Sequence, residues 1–457
     1  MAAAKHGHDE RVAVEAVIRA FFEGPAGSGK THQLIEEAVT ASREVLLHPE
    51  QKLLALTFMN GARHRLNFRF GEKRELRGRF ACLTFDSFAG TVARRRRALS
   101  RSLPPVRHGR DTNDFDRTCI EAARLLELPE VANWVANSYP LVVVDEAQDL
   151  DAHRLRLLKA LSEACCVVAA ADEFQNLNDH VDSGSVVTWL RMANRPHALT
   201  RIRRTAQDGL LRAAGALRSG TGMCHELAFE DGFQPCHAGD GIRVVSPPAK
   251  NSGALSWAVA NELSALGNYA VILTPDAKGK TIQQVLASVQ TKAFNRNKRA
   301  GTTFGPFPLV WERREEDDAA EWLARFDGDG TLKLRDVVDT VSGAQRPECR
   351  YICERLERAR NIRGETTVTR ERLTQVIRDV LRDAGHALPP SGPGRRVMTI
   401  PRAKNREFGS VLVLWPHSVA GSPEHQRRLL YNAITRAKDR CSVVVFGQGR
   451  TDKAPFS

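Results

Sequence analysis

Long apolar runs are missing from this chain of 457 residues, and their absence excludes several classes of protein. A helix that crosses a membrane needs about 18 or more consecutive apolar residues, and the sequence contains no such run. Residues 1–10 are small and polar, so we expect no secretory leader, no membrane partner and a cytoplasmic location. The nine cysteines follow no regular spacing, which argues against a disulfide framework and favours a reducing compartment.

What the chain does have is length, an ordinary apolar content and a strong excess of positive charge. At 457 residues it exceeds one ordinary hydrophobic core, so we expect two or three domains. Its hydrophobic content of 42% is that of a globular protein. The formal net charge of +13 favours an anionic partner, and nucleic acid is the commonest such partner.

The most informative segment is residues 24–31, which read Gly-Pro-Ala-Gly-Ser-Gly-Lys-Thr and fit the pattern GxxxxGK[ST] in full. An apolar run precedes the segment and a helical pattern follows it, which is the order strand, loop, helix that a phosphate-binding loop needs. In such a loop we expect Lys30 to reach the β- and γ-phosphates and the Thr31 hydroxyl to hold Mg²⁺. The other residues expected to line the nucleotide are Gly24, Ala26, Gly27, Ser28 and Gly29.

A second motif begins with four apolar residues, Leu141–Val144, and continues with two carboxylates. Acidic residues placed there lie at the carboxyl edge of a buried strand, where open α/β sheets bind ligands. We expect Asp145 to coordinate Mg²⁺ and Glu146 to activate the water that attacks the γ-phosphate. The alternative is that the two acids only cap the next helix.

Short apolar runs alternate with helical patterns along two stretches of the chain, which is typical of parallel sheets covered by helices. The sequence therefore predicts the α/β class with two domains, each interrupted by a small, charged, helical insertion. The predicted boundaries are 1–219 for the first domain with an insertion at 91–136, 220–240 for a linker, and 241–457 for the second domain with an insertion at 315–387.

With these motifs in hand, the chain resembles the UvrD/Rep family of superfamily 1 DNA helicases. Further segments match that family's motifs in order; they begin at Thr57, Thr84, Ala171, Leu199, Thr399 and Arg427. The resemblance implies two RecA-like P-loop NTPase domains with mostly parallel sheets that hydrolyse ATP between them. It also implies that Gln175 senses the γ-phosphate, that Arg204 contacts phosphate and that Arg436 is an arginine finger. Glu407 is expected to contact the nucleotide.

The same resemblance assigns a set of nucleic-acid contacts. They are Phe58, Asn60, Thr84, Ser87, Phe88, Thr399 and Lys404. To these we add Arg94 and Arg95 from the run of arginines at 94–97, which either binds phosphates or forms a solvated helix face.

The chain departs from the family pattern at several positions. It has no adenine-reading Gln before the phosphate loop, and Arg203 replaces the aromatic residue that stacks on adenine, so His32 or Arg203 is expected to stack instead. Asp86 replaces a His, and this added carboxylate should weaken phosphate contact unless it caps the following helix. In the segment that begins at Thr399, Pro401 replaces a His and Asn405 replaces a Gly.

The resemblance implies an ATP-dependent translocase or helicase on single-stranded or tailed duplex DNA, with 3′ to 5′ movement. The insertions are shorter than those of full-length relatives. The alternative is therefore an ATP-gated DNA-sensing subunit that regulates a protein partner such as a nuclease.

Overall fold

The structure of the protein, a computed structural model, describes residues 18–46, 48–58, 60–104, 114–178, 183–230, 236–247, 252–277, 279–295, 303–312, 315–326, 330–344, 346, 348–384, 394–447 and 449–457. The chain divides into two compact units, Met1–Arg201 and Ile202–Ser457. Within the described residues, no helix combines the length and apolar character that crossing a lipid bilayer requires.

The first unit contains six strands and eight α-helices among its described residues. The strands are β1 Ile18–Glu23, β2 Leu53–Thr57, β3 Phe80–Thr84, β4 Leu141–Val144, β5 Cys166–Ala171 and β6 His197–Ala198. The helices are α1 Lys30–Val45, α2 Asn60–Gly71, α3 Phe85–Arg95, α4 Arg97–Ser102, α5 Asp114–Leu126, α6 Pro129–Ser138, α7 Ala152–Ser162 and α8 Ser183–Ala193.

These six strands form one parallel sheet in the order β3-β2-β4-β5-β1-β6. Every residue of β2 and β4 is buried, as expected where helices cover both faces of a parallel sheet. Alternate side chains of β2 enter different cores: Leu54 and Leu56 pack in one apolar cluster, whereas Leu53 and Ala55 pack in another. The α/β class predicted for this part of the chain is confirmed.

The arginine-rich segment 91–136, predicted as an insertion, covers the end of α3 and the helices α4, α5 and α6. Its apolar residues Ala122, Leu125 and Val135 share a cluster with Val142 of the sheet. The described part of this segment is therefore a helical layer on the first sheet, without a core of its own.

The second unit begins with α9 Asp208–Ser219 and contains a larger sheet. Its further strands are β7 Ala228–Glu230, β8 Cys236–Gly239, β9 Ile242–Val245, β10 Val271–Thr274, β11 Phe294–Asn295, β12 Thr303–Phe304, β13 Leu309–Trp311, β14 Thr331–Lys333, β15 Thr367–Thr369, β16 Arg395–Thr399, β17 Phe408–Trp415 and β18 Ala437–Val445. Its further helices are α10 Ser252–Leu266, α11 Lys280–Thr291, α12 Glu315–Leu323, α13 Leu334–Ser342, α14 Cys349–Arg363, α15 Arg370–Ala384, α16 Ile400–Ala403 and α17 Pro423–Ile434.

The second sheet has the order β13-β16-β10-β17-β18-β9-β8-β7 and is parallel from β13 to β9. At one edge β8 and β7 continue it in antiparallel pairing. The mostly parallel sheets and the helices around them confirm the predicted α/β class for both units.

The second insertion has a core of its own. Between β13 and β16 the order helix, strand, helix occurs twice, and β14 pairs antiparallel with β15, with Leu332 opposite Val368. A separate apolar cluster surrounds the fully buried Trp322 and includes Ile352 and Leu373. Residues 385–387 at the end of the predicted insertion lie outside the described residues.

The compact units divide at Arg201, before the predicted end of the first domain at 219. Residues 220–240, which we predicted to be a linker, include β7 and β8 of the second sheet. Short edge strands of this kind give a weak sequence signal, because all three residues of β7 are exposed and no apolar run marks them.

Candidate functional site

The glycine-rich loop joins the end of β1 directly to the N-terminus of α1. Gly29 precedes the first helical residue with a φ of 92°, a left-handed conformation that glycine adopts at little cost. A Cβ atom at Gly24 would lie 2.4 Å from the carbonyl oxygen of Leu199, so a side chain does not fit there. The predicted loop residues Ala26 and Ser28 are buried. A loop that leads into a helix N-terminus in this way is suited to bind an anion, because the helix dipole is positive at that end.

The ammonium group of Lys30 is held close to the loop. Its Nζ atom donates to the carbonyl oxygens of Gly24 at 2.9 Å and Pro25 at 3.1 Å. It also lies 3.8 Å from Oδ2 of Asp172, and the whole residue is only 7% exposed. The structure therefore places the predicted phosphate-binding charge at the loop itself.

The loop and the acidic motif meet through Thr31 and Asp145. The Thr31 hydroxyl donates to Oδ2 of Asp145 over 3.0 Å. Asp145 follows β4 and is buried, and burial together with the charge of Glu146 raises its pKa to about 6. A hydroxyl and a carboxylate are oxygen donors of the kind that Mg²⁺ prefers, so these two residues fit the predicted metal role. No group of three or more His, Cys, Asp or Glu side chains in the described ranges is arranged to hold a metal ion.

Behind these residues lies a network of buried polar side chains. Glu146 has a φ of 57°, which is uncommon for a residue other than glycine and often marks a functional site. Its carboxylate accepts a hydrogen bond from Nε2 of Gln148, and Oε1 of Gln148 accepts one from the backbone N–H of Asp172 over 2.9 Å. Oδ2 of Asp172 accepts a hydrogen bond from Nε2 of Gln175 over 2.7 Å. The predicted sensor Gln175 therefore contacts the same carboxylate oxygen that faces Lys30.

Sequence reasoning missed Gln148 and Asp172 as members of this site. Neither side chain is measurably exposed, and each lies just after a strand of the first sheet. Both belong to segments that the motif comparison had singled out. The signal that could have found them is a polar residue that must be buried, because such a residue needs a hydrogen-bond partner.

In the second unit, Arg204 and Arg436 both contact Thr435. Nη1 of Arg204 donates to the carbonyl oxygen of Thr435 over 2.7 Å, and Nη2 of Arg436 donates to its hydroxyl over 3.3 Å. Arg436 is 1% exposed, and its Nε donates to the carbonyl oxygen of Asn432 over 3.0 Å. The two arginines predicted to act on phosphate thus lie at one helix end.

Glu407 holds Arg204 from the other side. Its Oε1 accepts from Nε of Arg204 at 3.0 Å, and its Oε2 lies 3.1 Å from Nζ of Lys438. Burial by itself would raise the pKa of Glu407, but the charges and hydrogen bonds of Arg204 and Lys438 outweigh burial and lower it. Glu407 is therefore an anion whose contacts in the second unit are with cations.

The segment that begins at Thr399 has the expected backbone conformation, although Pro401 and Asn405 depart from the family pattern. Asn405 has a φ of 68°, so it adopts the left-handed conformation expected of the glycine it replaces; asparagine tolerates this conformation better than most residues. Pro401 lies in the first turn of α16, a position that proline favours. The predicted DNA contacts Thr399 and Lys404 flank this short helix, and Lys404 is buried.

Around β2 and β3 the predicted nucleic-acid contacts divide into exposed and buried residues. Phe58 is 38% exposed and Ser87 is exposed, whereas the Thr84 hydroxyl caps α3 by accepting from the backbone N–H of Ser87. The prediction for Phe88 is corrected: it is 2% exposed and packs in the core of the first sheet. Its place one helical turn after Thr84 turns it inward. The side chain of Asn60 lies outside the described part of the chain.

Asp86 does not cap α3, and its carboxylate is paired with an arginine. The cap is Thr84, and Oδ1 of Asp86 accepts from Nε and Nη2 of Arg154 at 3.0 and 2.6 Å. The added negative charge that the sequence placed among the DNA contacts is therefore compensated by a buried arginine.

The remaining predicted contacts lie on the surface. Arg94 and Arg95 are exposed on α3, and the guanidinium carbon of Arg95 lies 5.6 Å from the ring centre of Trp134. His32 is exposed on α1, with Nδ1 3.8 Å from Oε1 of Glu36, and Arg203 is exposed in the second unit. Their roles toward DNA and adenine stay predictions.

Two family models match the chain. One, described as an AAA domain, matches residues 12–179, and the other, described as a UvrD-like helicase C-terminal domain, matches residues 395–444. The first match takes in the glycine-rich loop, the acidic motif and Gln175. The second takes in Glu407 and Arg436. No sequence among curated proteins matches the chain.

Among solved structures, the chain is similar to Pif1 helicases. The Pif1 helicase from Candida albicans is 13% identical, with a TM-score of 0.39 over 93% of this chain and 91% of that chain. The Pif1 helicase from Bacteroides in complex with ADP-AlF3 and ssDNA is 11% identical, with a TM-score of 0.38 over 94% of this chain and 89% of that chain.

Proposed function

We propose that the chain is an ATP-dependent translocase and helicase on single-stranded DNA, because its motifs resemble those of the UvrD/Rep family and its residues 395–444 match the UvrD-like helicase C-terminal domain. The proposal includes movement from 3′ to 5′, which rests on the resemblance in the motifs. Nucleic acid as the partner is also supported by the net charge of +13.

The observation that carries the proposal is the contact between the loop and the acidic motif. The Thr31 hydroxyl lies 3.0 Å from the Asp145 carboxylate, and the neighbouring Lys30 ammonium lies at the loop carbonyls. This combination of a cation, a hydroxyl and an acid beside a helix N-terminus suits a triphosphate with Mg²⁺. If Asp145 and Glu146 only capped the next helix, neither Lys30 nor Thr31 would be needed at this place.

In this proposal each side chain has a separate task on ATP as substrate. Lys30 binds the β- and γ-phosphates, and Glu146 accepts a proton from the attacking water. Gln175 positions that water and senses the γ-phosphate. Thr31 and Asp145 would hold Mg²⁺, which when bound would neutralise part of the phosphate charge.

The second unit contributes positive charge in the proposal. The transferred phosphoryl group carries negative charge on its equatorial oxygens in the transition state, and arginines stabilise that charge. Arg204 and Arg436 are suited to this task because both are fixed at Thr435 by hydrogen bonds. Hydrolysis would then change the hold of both units on DNA.

A second candidate function is an ATP-gated DNA-sensing subunit that regulates a partner such as a nuclease. The burial of Phe88 favours it, because this removes an aromatic side chain from the expected DNA contacts of the first unit. The engagement of Asp86 by Arg154 occupies a further position of the same contact motif.

ATP hydrolysis measured with single-stranded DNA, duplex DNA and RNA at one fixed salt concentration tests the proposal. We expect strong stimulation by single-stranded DNA and no turnover by the Lys30→Ala variant; Lys52→Ala, which changes an exposed lysine, is the matched control. Stimulation by RNA alone would contradict the DNA assignment. Strand displacement on a 3′-tailed duplex then separates the two candidates, since stimulation without displacement favours the sensing subunit.

A further inference from the structure

A single buried arginine joins three neighbouring strand ends of the first sheet. Arg154 lies on α7 and is only 5% exposed. Its guanidinium contacts carboxylates from three separate segments: Asp86 at the start of α3, Asp116 on α5 and Asp151 at the start of α7. Its guanidinium carbon also lies 5.4 Å from the ring centre of Phe58.

The order of the strands in the sheet explains which segments this cluster connects. The strands β3, β2 and β4 are adjacent and parallel, so their carboxyl ends lie at one edge. Phe58 follows β2, Asp86 follows β3, and Asp151 lies a few residues beyond the acidic motif that follows β4. One guanidinium therefore contacts the segments predicted to hold DNA and the segment that leads away from the nucleotide acids.

The geometry is specific rather than a loose surface pairing. Nε and Nη2 of Arg154 both donate to Oδ1 of Asp86, at 3.0 and 2.6 Å, and Nη1 donates to Oδ1 of Asp116 at 3.1 Å. The backbone N–H of Arg154 donates to Oδ1 of Asp151 at 2.9 Å, so the same aspartate also caps the helix. Such a planar, many-donor contact is particular to arginine; a lysine ammonium cannot reproduce it.

The charge balance of the cluster depends on Arg154, which lies at its centre. The Arg154 guanidinium contacts all three carboxylates, and its removal would leave these acids close together without the charge of the guanidinium. The Phe58 ring, 38% exposed, uses one face for the guanidinium and leaves part of its surface open. A change in the position of α7 would therefore act on Phe58 and α3 through the Arg154 side chain, besides the packing of both helices on α5.

We propose that Arg154 is a positioning residue that couples ATP turnover to the grip on DNA by holding Phe58 and α3 against α7. This inference rests on the proposed function, and it assigns a role to a residue outside the nucleotide site. It implies that the concentration of DNA needed for stimulation, rather than the DNA-independent ATPase rate, depends on Arg154.

The test compares three variants with the wild-type chain: Arg154→Met, Asp86→Asn and, as a matched control on the same helix, Arg156→Met. Arg156 forms an exposed ion pair with Glu127, at 2.7 and 2.8 Å, away from the cluster. For each protein, the DNA-independent ATPase rate, the maximal DNA-stimulated rate and the half-saturating concentration of single-stranded DNA are measured.

For Arg154→Met we expect a DNA-independent ATPase rate within about twofold of wild type. The half-saturating DNA concentration should rise about tenfold or more, which is the size of effect seen when a supporting residue of a site is removed. Asp86→Asn, which keeps the shape and removes one charge, should give a smaller shift in the same direction, and Arg156→Met should give none. A folded Arg154→Met protein with wild-type DNA dependence would overturn the inference.

If Arg154→Met does not fold, Asp86→Asn decides, and an unchanged DNA dependence in that variant overturns the inference. A wild-type protein that no polynucleotide stimulates would instead contradict the proposed function, so the two failures are distinguishable.

Discussion

Oε1 of Gln148 accepts the backbone N–H of Asp172 over 2.9 Å, and this hydrogen bond joins the segment after β4 to the segment after β5. The same side chain donates to Glu146, while Asp172 accepts from Gln175. The predicted water-activating acid and the predicted phosphate sensor are therefore linked through two residues that do not touch substrate in our proposal.

From this link we expect Gln148→Ala to lower the ATPase rate about tenfold or more, the range seen when supporting residues of a site are removed. The reason is that Glu146 loses its donor and the backbone N–H of Asp172 loses its acceptor in a buried place. Steady-state ATPase kinetics measure the effect. A wild-type rate in a folded Gln148→Ala protein would show that the network has no part in turnover.

The Thr31 hydroxyl should determine how much Mg²⁺ the protein needs. We expect Thr31→Ala to raise the half-saturating Mg²⁺ concentration for ATP hydrolysis at least about tenfold, and Thr31→Ser to preserve it because the hydroxyl remains. A Mg²⁺ titration at constant free ATP checks this. Equal Mg²⁺ dependence in the alanine and serine variants would remove Thr31 from the metal site.

Glu407 should act through Arg204 rather than alone. We expect Glu407→Gln to reduce turnover roughly tenfold, because the neutral amide holds the Arg204 guanidinium less firmly than the carboxylate does. Glu424→Gln is the control, since Glu424 forms an exposed ion pair with Arg428 within α17. A reduction of the same size in both variants would contradict a specific role for Glu407.

Asn405 should be replaceable by glycine but not by alanine. Its φ of 68° lies in the left-handed region, which costs a residue such as alanine about 1 kcal/mol or more. We expect Asn405→Ala to destabilise the protein by about 1 kcal/mol and Asn405→Gly to do so by much less. Thermal unfolding of the two variants measures the difference, and equal stabilities would show that the backbone conformation is not the constraint.

The sequence was sufficient to predict the fold class and most strands of both sheets. The runs at Leu53, Leu141, Val411 and Ser442 became buried parallel strands because such strands read as continuous apolar residues. The strands β7 and β8 were missed: β7 is an exposed edge strand, and β8, which pairs between β7 and β9, is only partly buried, so neither has such a run. Phe88 was misassigned because a motif gives residue types but not the direction in which a helix turns a side chain.

Pairings between distant segments could not be read from the chain. Arg154 meets Asp86 across 68 positions and Asp116 across 38, and nothing in the local sequence specifies either partner. From the sequence alone, the Asp86 carboxylate is therefore expected to weaken DNA binding, because its pairing with Arg154 is not apparent there. In the same way, the contact of Arg204 with Thr435 joins residues 231 positions apart, and nothing in the local sequence specifies it.

We propose that Arg436 acts on the γ-phosphate of bound ATP, and single-turnover hydrolysis by the Arg436→Ala variant tests this role. With saturating single-stranded DNA and the protein in excess over ATP, we predict ATP binding close to that of wild type and hydrolysis slowed roughly 10³-fold, the scale of an arginine finger. Unchanged hydrolysis, or a loss confined to nucleotide affinity, would contradict this role of Arg436.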